Sequence, residues 1–186
     1  RSLIQIQQGI AEYNDGITAL KNKNYKSAQN KLKEAEKRLK RGKIAEDGLN
    51  FSRGNLAIAL LASGEKRGVG QAKRYLNNIT SKIYKDRDWA YNLAVAHYDF
   101  GSRSKGATQK DFLEKSAKLF KTAIQMDKLF LTAYENLVYV YKAMGEDGKA
   151  LSTYKAFIKS RDKLLNSFSK DEPVSYTHLR AHETHE

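Results

Sequence analysis

Three sets of residues in this 186-residue chain have types and spacing that could do chemistry. The first is histidine. His97 is the only one before Pro173, and it stands in no catalytic motif. It falls on an apolar helical stripe, which predicts a core histidine rather than a general base. The second is the loop Gly64-Glu65-Lys66-Arg67-Gly68-Val69-Gly70. A phosphate cradle needs a Gly-Lys-Ser/Thr ending and a preceding strand, and this loop has neither, so it predicts an interhelical turn. The third is His178, His182 and His185, at i, i+4 and i+7. On a helix that spacing would place three imidazoles on one face, as a metal needs. A short segment with nothing to pack against does not hold such a helix. Carboxylates do not pair in apolar surroundings that would shift their pKa for acid–base work. There is no cysteine, which excludes thiol catalysis, thiolate zinc sites and disulfides. The expectation is a protein with no catalytic residue, no metal and no cofactor.

The ends of the chain differ in character. From Pro173, the only proline, the composition leaves the Lys- and Asn-rich pattern of the body and takes up three of the four histidines. That stretch resembles a translated adapter or cloning remnant and is set apart from the fold. Residues 169–186 are expected to be a disordered tail, and residues 1–168 one folded domain. No run approaches 18 apolar residues, so no membrane span is expected. The chain starts at Arg1, so a leader could already be missing. The expectation is a soluble protein, cytoplasmic or, if a leader was removed, periplasmic or secreted.

The formal charge is +13 and it is uneven. Residues 1–45 hold eleven Lys and Arg against four Asp and Glu. Lys31, Lys33, Lys37, Arg38, Lys40, Arg41 and Lys43 wrap more than one side of their helix, without interleaved aromatics. A solvated helix face accounts for this. Electrostatic docking to an acidic protein, to nucleic acid or to an anionic membrane is the alternative, and phosphate binding would fall steeply with salt.

Positioning comes from an internal repeat. Ser116, Phe120 and Ala123 recur 34 residues on as Ala150, Tyr154 and Phe157. Asn-Leu-small occurs as Asn55-Leu56-Ala57, Asn92-Leu93-Ala94 and Asn136-Leu137-Val138, each with a glycine eight residues after its Leu: Gly64, Gly101, Gly145. An earlier copy carries Asn14, Ala19, Tyr25, Ala28, Leu32 and Ala35. These features resemble the tetratricopeptide repeat, a helix pair of about 34 residues. The likeness covers residues 10–160 as four units. The fourth unit carries it most clearly, with Ala133, Tyr134, Asn136, Leu137, Tyr141, Gly145, Ala150 and Tyr154. It departs from the family in lacking the proline between units, with Lys128 in its place, and in extra residues at three junctions.

The resemblance implies an all-α solenoid of four helix pairs whose last helix, ending near Phe168, caps the array. Spacing predicts helices over 2–22, 25–41, 49–63, 69–83, 87–100, 109–127, 130–144 and 147–168. Gly64, Gly101 and Gly145 are expected to end the first helices of their pairs, with Asn22 or Asn24 in that role in the first unit. Thr108 is expected to cap the sixth helix, and 102–107 to be a flexible loop. Small residues at Ala28, Ala57, Ala94 and Ala150 allow close helix approach.

Helix 87–100 carries two apolar stripes. Ala90, Leu93, Ala94 and His97 form one; Tyr91, Val95 and Tyr98 form another about 100° away. An arc that wide must be covered on two sides. The resemblance places the second stripe on a concave wall with Ile58, Leu61, Glu135, Tyr139 and Lys142, joined by Tyr13, Ile17 and Leu20. It places Asn55, Asn92 and Asn136 on or beside that wall. An Asn amide there could hold an extended peptide backbone, or bond to the neighbouring helix and set repeat geometry; both readings are open. Lys21, Arg87 and Lys142 are loose candidates for gripping a partner's C-terminal carboxylate.

The function this implies is a protein-interaction module, an adaptor or scaffold with a Tyr-rich peptide groove. The alternative is a self-assembling scaffold subunit. Leu3, Ile6, Ile10, Tyr13, Ile17 and Leu20 follow a 3-4 spacing that could line the core, the groove or a second copy's helix.

Overall fold

Proline is absent from the body of the chain, so nothing interrupts helix formation there except glycine and short polar turns. The computed structural model describes residues 2–79 and 87–168. Those residues form eight α-helices and no strand: α1 Ser2–Lys21, α2 Tyr25–Arg41, α3 Glu46–Ala62, α4 Lys66–Asn77, α5 Arg87–Arg103, α6 Gly106–Met126, α7 Leu131–Ala143 and α8 Asp147–Ser167. They fall into two units, Arg1–Ile83 and Tyr84–Glu186. In each, consecutive helices pack on one another, and the first and third helices also touch.

In the first unit, α1 turns glycine rather than leucine toward α2. Gly9 and Gly16, seven residues apart, are both buried. A Cβ at Gly9 would lie 2.8 Å from Leu39, and one at Gly16 would lie 2.7 Å from Leu32. The missing side chains let the two backbones close on Ala28, Leu32, Ala35 and Leu39. The expected α1 stripe is therefore only in part a packed face. Ile6, Tyr13, Ile17 and Leu20 are half-buried, while Leu3 and Ile10 are exposed. Ion pairs tie successive helices: Arg38 Nε to Glu12 at 3.1 Å, and Arg53 Nε to Glu36 at 3.2 Å. The turn between α1 and α2 differs from expectation. Lys23, not an asparagine, takes the left-handed conformation, at φ 60°. Asn24 instead caps α2 by accepting from the Ser27 N–H.

In the second unit, α5 is buried along most of its length, with Trp89, Ala90, Tyr91, Leu93, Ala94, Ala96, His97 and Phe100 inside. Ala94 and Ser116 join α5 to α6, the serine hydroxyl donating to the Ala94 carbonyl at 2.7 Å. The turn between α6 and α7, which carries Lys128 and no proline, is held by side chains. Asp127 accepts from the Leu129 N–H at 3.0 Å and pairs with Arg87, whose guanidinium lies 4.5 Å from the Phe130 ring. Arg87 is thus committed to the fold rather than held out for a carboxylate.

Gly64 and Gly145 follow helix ends at φ 70° and 73°, as terminating glycines do. Gly101 does not. Helix α5 runs on to Arg103, and Gly101 is buried with Phe112 and Leu113 of α6 3.2 Å from where its Cβ would be. The left-handed residue of that junction is Gly106, at φ 60°. The loop expected over 102–107 shrinks accordingly to 104–105. No side chain caps α6, so Thr108 has no capping role. The expected tail, residues 169–186, and residues 80–83 of the expected fourth helix lie outside the described residues. No described helix is long and apolar enough to cross a membrane.

Candidate functional site

Helix α5 sorts its stripes by depth. Ala90, Leu93, Ala94 and His97 are all buried. His97 Nδ1 lies 2.8 Å from the Leu93 carbonyl, and its ring is 5.5 Å from Phe112. Burial, more than anything else, pushes its pKa down to about 4; the Leu93 carbonyl pulls the other way. At neutral pH it is an uncharged core side chain. Among the described residues no group of three or more His, Asp or Glu could hold a metal.

The second stripe opens onto a cleft. Tyr91, Val95, Tyr98 and Asp99 of α5, Phe120 of α6, and Asn136 and Tyr139 of α7 line a cavity of about 220 Å³. Five residues expected from sequence meet here: Tyr91, Val95, Tyr98, Asn136 and Tyr139. They differ in character. Tyr139 is 61% exposed, and Val95 and Tyr98 are half-buried. Tyr91 is 1% exposed, held edge-on to Phe120 at 5.6 Å and against Phe130 at 5.0 Å. Its ring is core, and its hydroxyl accepts from Asn136, which also lines the cleft. That corrects its assignment to an open groove wall: α6 and the start of α7 cover it.

A second cleft, of about 680 Å³, lies between α7 and α8. Glu135, Val138, Tyr139 and Lys142 form one side, with Ala150, Leu151, Tyr154 and Phe157 opposite. Tyr139 is the wall common to both clefts. Lys142 belongs to this second cleft and is exposed.

The remaining expected residues belong to the first unit, apart from Asn92, which is half-buried on α5 and does not line either cleft. Ile58 is half-buried on α3. Leu61 is 1% exposed, so it is core and not groove. Its neighbours Leu60 and Ala59 are equally buried, so the open side of that turn of α3 is left to Ile58 and Ala62.

The asparagines resolve in part. Asn136 Nδ2 donates to the Tyr91 hydroxyl at 2.7 Å, and Asn55 Nδ2 to the Tyr13 hydroxyl at 2.9 Å. Burial raises the Tyr13 phenol pKa, with the Asn55 hydrogen bond pulling down. These two amides thus link first helices of successive pairs within their units. The Asn55 amide nitrogen also donates to the Phe51 carbonyl at 3.0 Å.

Asp99, Leu151, Tyr154 and Phe157 are among the lining residues missed by stripe reasoning. Asp99 is four residues after Val95, a helical spacing that puts it on the same face, but a polar residue does not register in an apolar stripe. Burial pushes its carboxyl pKa up, while Arg103, one turn on, pulls it down. Tyr154 and Phe157 carry the 34-residue repeat, whose earlier copies Phe120 and Ala123 are buried; on α8 Tyr154 is exposed and Phe157 half-buried. Compared with known proteins, the chain matches no family and no curated protein.

Proposed function

We propose that the chain is a tetratricopeptide-type helical array whose role is binding rather than catalysis, and that it holds a peptide segment of a partner protein on the α5–α7 face. The observation that carries this is Tyr139. It stands 61% exposed between two clefts, with Tyr98 and Val95 beside it on one side and Leu151 and Tyr154 on the other. Exposed aromatics at a cleft give large contact area at low conformational cost, and such patches mark binding surfaces. The repeat reading is supported by the helix order and by the contact between first helices in each unit. It is supported further by the amide-to-phenol bond found once in each unit.

The test is affinity capture from the source organism with the wild-type chain and with a Tyr98→Ala/Tyr139→Ala variant. A partner retained by the first and lost by the second, with melting temperature held, supports the reading. A partner retained equally by both refutes this face as the site.

A second reading has its own observation. Leu3, Ile4 and Ile10 are 67%, 56% and 45% exposed on α1, which suits self-association. Sedimentation velocity decides it: a monomer at tens of micromolar, on the order used for such measurements, excludes a dimer of micromolar strength.

A further inference from the structure

The α5–α7 cleft carries one formal charge, and it is negative. Of its seven lining residues only Asp99 is ionisable in the acidic range, and no Lys or Arg lines it. That is notable against the whole chain, whose formal charge is +13. Long-range attraction would bring an acidic segment toward this protein, but a carboxylate entering this cleft would meet Asp99. The other polar side chains at the cleft, the phenols of Tyr98 and Tyr139 and the amide of Asn136, can each accept a hydrogen bond as well as donate one. The volume of about 220 Å³ is smaller than a drug-sized ligand pocket and suits one side chain rather than a chain of residues.

We infer that this cleft receives a lysine or arginine side chain from a partner's peptide segment, with Asp99 as its counter-charge and the rings of Tyr98 and Tyr139 as its walls. The inference rests on the reading of this face as a peptide site and adds what the peptide must carry. A cation against tyrosine faces gains from the ring quadrupole, and more when water is excluded. A guanidinium adds a planar fork of donors for the carboxylate and the amide oxygen, which makes arginine the better fit of the two. Burial already disfavours the Asp99 anion, and an incoming cation compensates for that. Arg103, which also acts on Asp99 from one turn along α5, is not among the residues that line the cleft.

The probe is a random dodecapeptide library selected on the full chain. The selected peptides are then measured on wild type, Asp99→Asn and Tyr139→Ala. The expected result is a recurring Arg or Lys in peptides that weaken on Tyr139→Ala. Replacing that residue by norleucine, or Asp99 by Asn, should each lower affinity roughly tenfold or more, as loss of a hydrogen bond to a charged group does. The norleucine peptide leaves the protein untouched, so it decides the matter even if Asp99→Asn folds poorly. Peptides that depend on Tyr139 but carry no basic residue, and bind Asp99→Asn as well as wild type, overturn the inference and leave the peptide site standing. Peptides that ignore Tyr139→Ala altogether overturn the peptide site, and the inference falls with it.

Discussion

Asn136 on α7 donates to the hydroxyl of Tyr91 on α5 at 2.7 Å, and Asn55 on α3 donates to Tyr13 on α1 at 2.9 Å. The acceptors hold one register, since each tyrosine stands one residue before an asparagine: Tyr13-Asn14 and Tyr91-Asn92. The same bond therefore joins two first helices in each unit. If it contributes to stability, Tyr91→Phe and Tyr13→Phe should each cost about 1 kcal/mol in urea unfolding, as a part-buried neutral hydrogen bond does. A double-mutant cycle of Tyr91→Phe with Asn136→Ala should return a coupling of roughly 0.5–1.5 kcal/mol. A coupling near zero would mean the bond is made at no net gain, and the register argument would lose its energetic basis.

The two stripes of α5 should separate in stability. Leu93 is 1% exposed, and Leu93→Ala should cost about 2–5 kcal/mol through lost burial and a cavity. Tyr91→Ala should cost a similar amount, because Phe120 and Phe130 pack on its ring. Tyr139→Ala should stay within about 0.5 kcal/mol, as expected of an exposed side chain. Chemical denaturation of the three variants is enough. If Tyr139→Ala destabilises as much as Leu93→Ala, Tyr139 is a core residue and the cleft face is not a free surface.

His97 makes stability depend on pH with a definite sign. Its pKa falls from 6.5 in the unfolded chain to about 4 in the fold, so between those values the unfolded state binds more protons. Stability from this group is fully present above pH 6.5. It is lost as pH falls toward 4, by roughly 3 kcal/mol at most. Lys115 and Asp111 of α6 act on the ring in opposite senses and are minor beside burial. Asp99 works against the trend, since a carboxyl raised by burial favours the fold at low pH. The comparison must therefore be with His97→Gln, which keeps every other titration. The difference in unfolding free energy between wild type and variant should shrink from pH 7 to pH 4. A constant difference would show that His97 does not titrate between its folded and unfolded values.

Much of this was legible in sequence because helices write burial with a period of 3.6. Ala90, Leu93, Ala94 and His97 share a face by spacing alone, and that face is buried. What spacing does not encode is which neighbour covers a second face. Tyr91 and Tyr139 look alike in sequence, yet Phe120 and Phe130 cover one and leave the other open. Glycine is ambiguous for a related reason. Gly145 needs its left-handed backbone and Gly101 needs its missing Cβ, and the letter is the same. Asp99 escapes an apolar pattern because it is polar, although its distance of four from Val95 places it correctly. The clefts depend on helix separation, which a single sequence does not contain.

Two glycines three residues apart should respond with opposite signs. Gly145 follows α7 at φ 73°, and nothing lies within 4 Å of where a Cβ would stand. Space is therefore not the obstacle; the left-handed backbone is. Gly145→Ala should destabilise by about 1–2 kcal/mol, the cost of that conformation for an L-residue. Gly148 lies in the first turn of α8, and nothing stands within 4 Å of its Cβ position either. Its backbone shows no positive φ, so alanine meets no strain there. Gly148→Ala should stabilise by up to about 1 kcal/mol, through helix propensity and a less flexible unfolded chain. Both are read from denaturation midpoints at one pH. Because the two sites share a turn and solvent exposure, a general effect of added methyls would move both the same way. If Gly145→Ala is neutral, the α7–α8 turn is not held by its left-handed residue. The wall that Tyr139 shares with Leu151 and Tyr154 would then lack the rigid corner that sets its width.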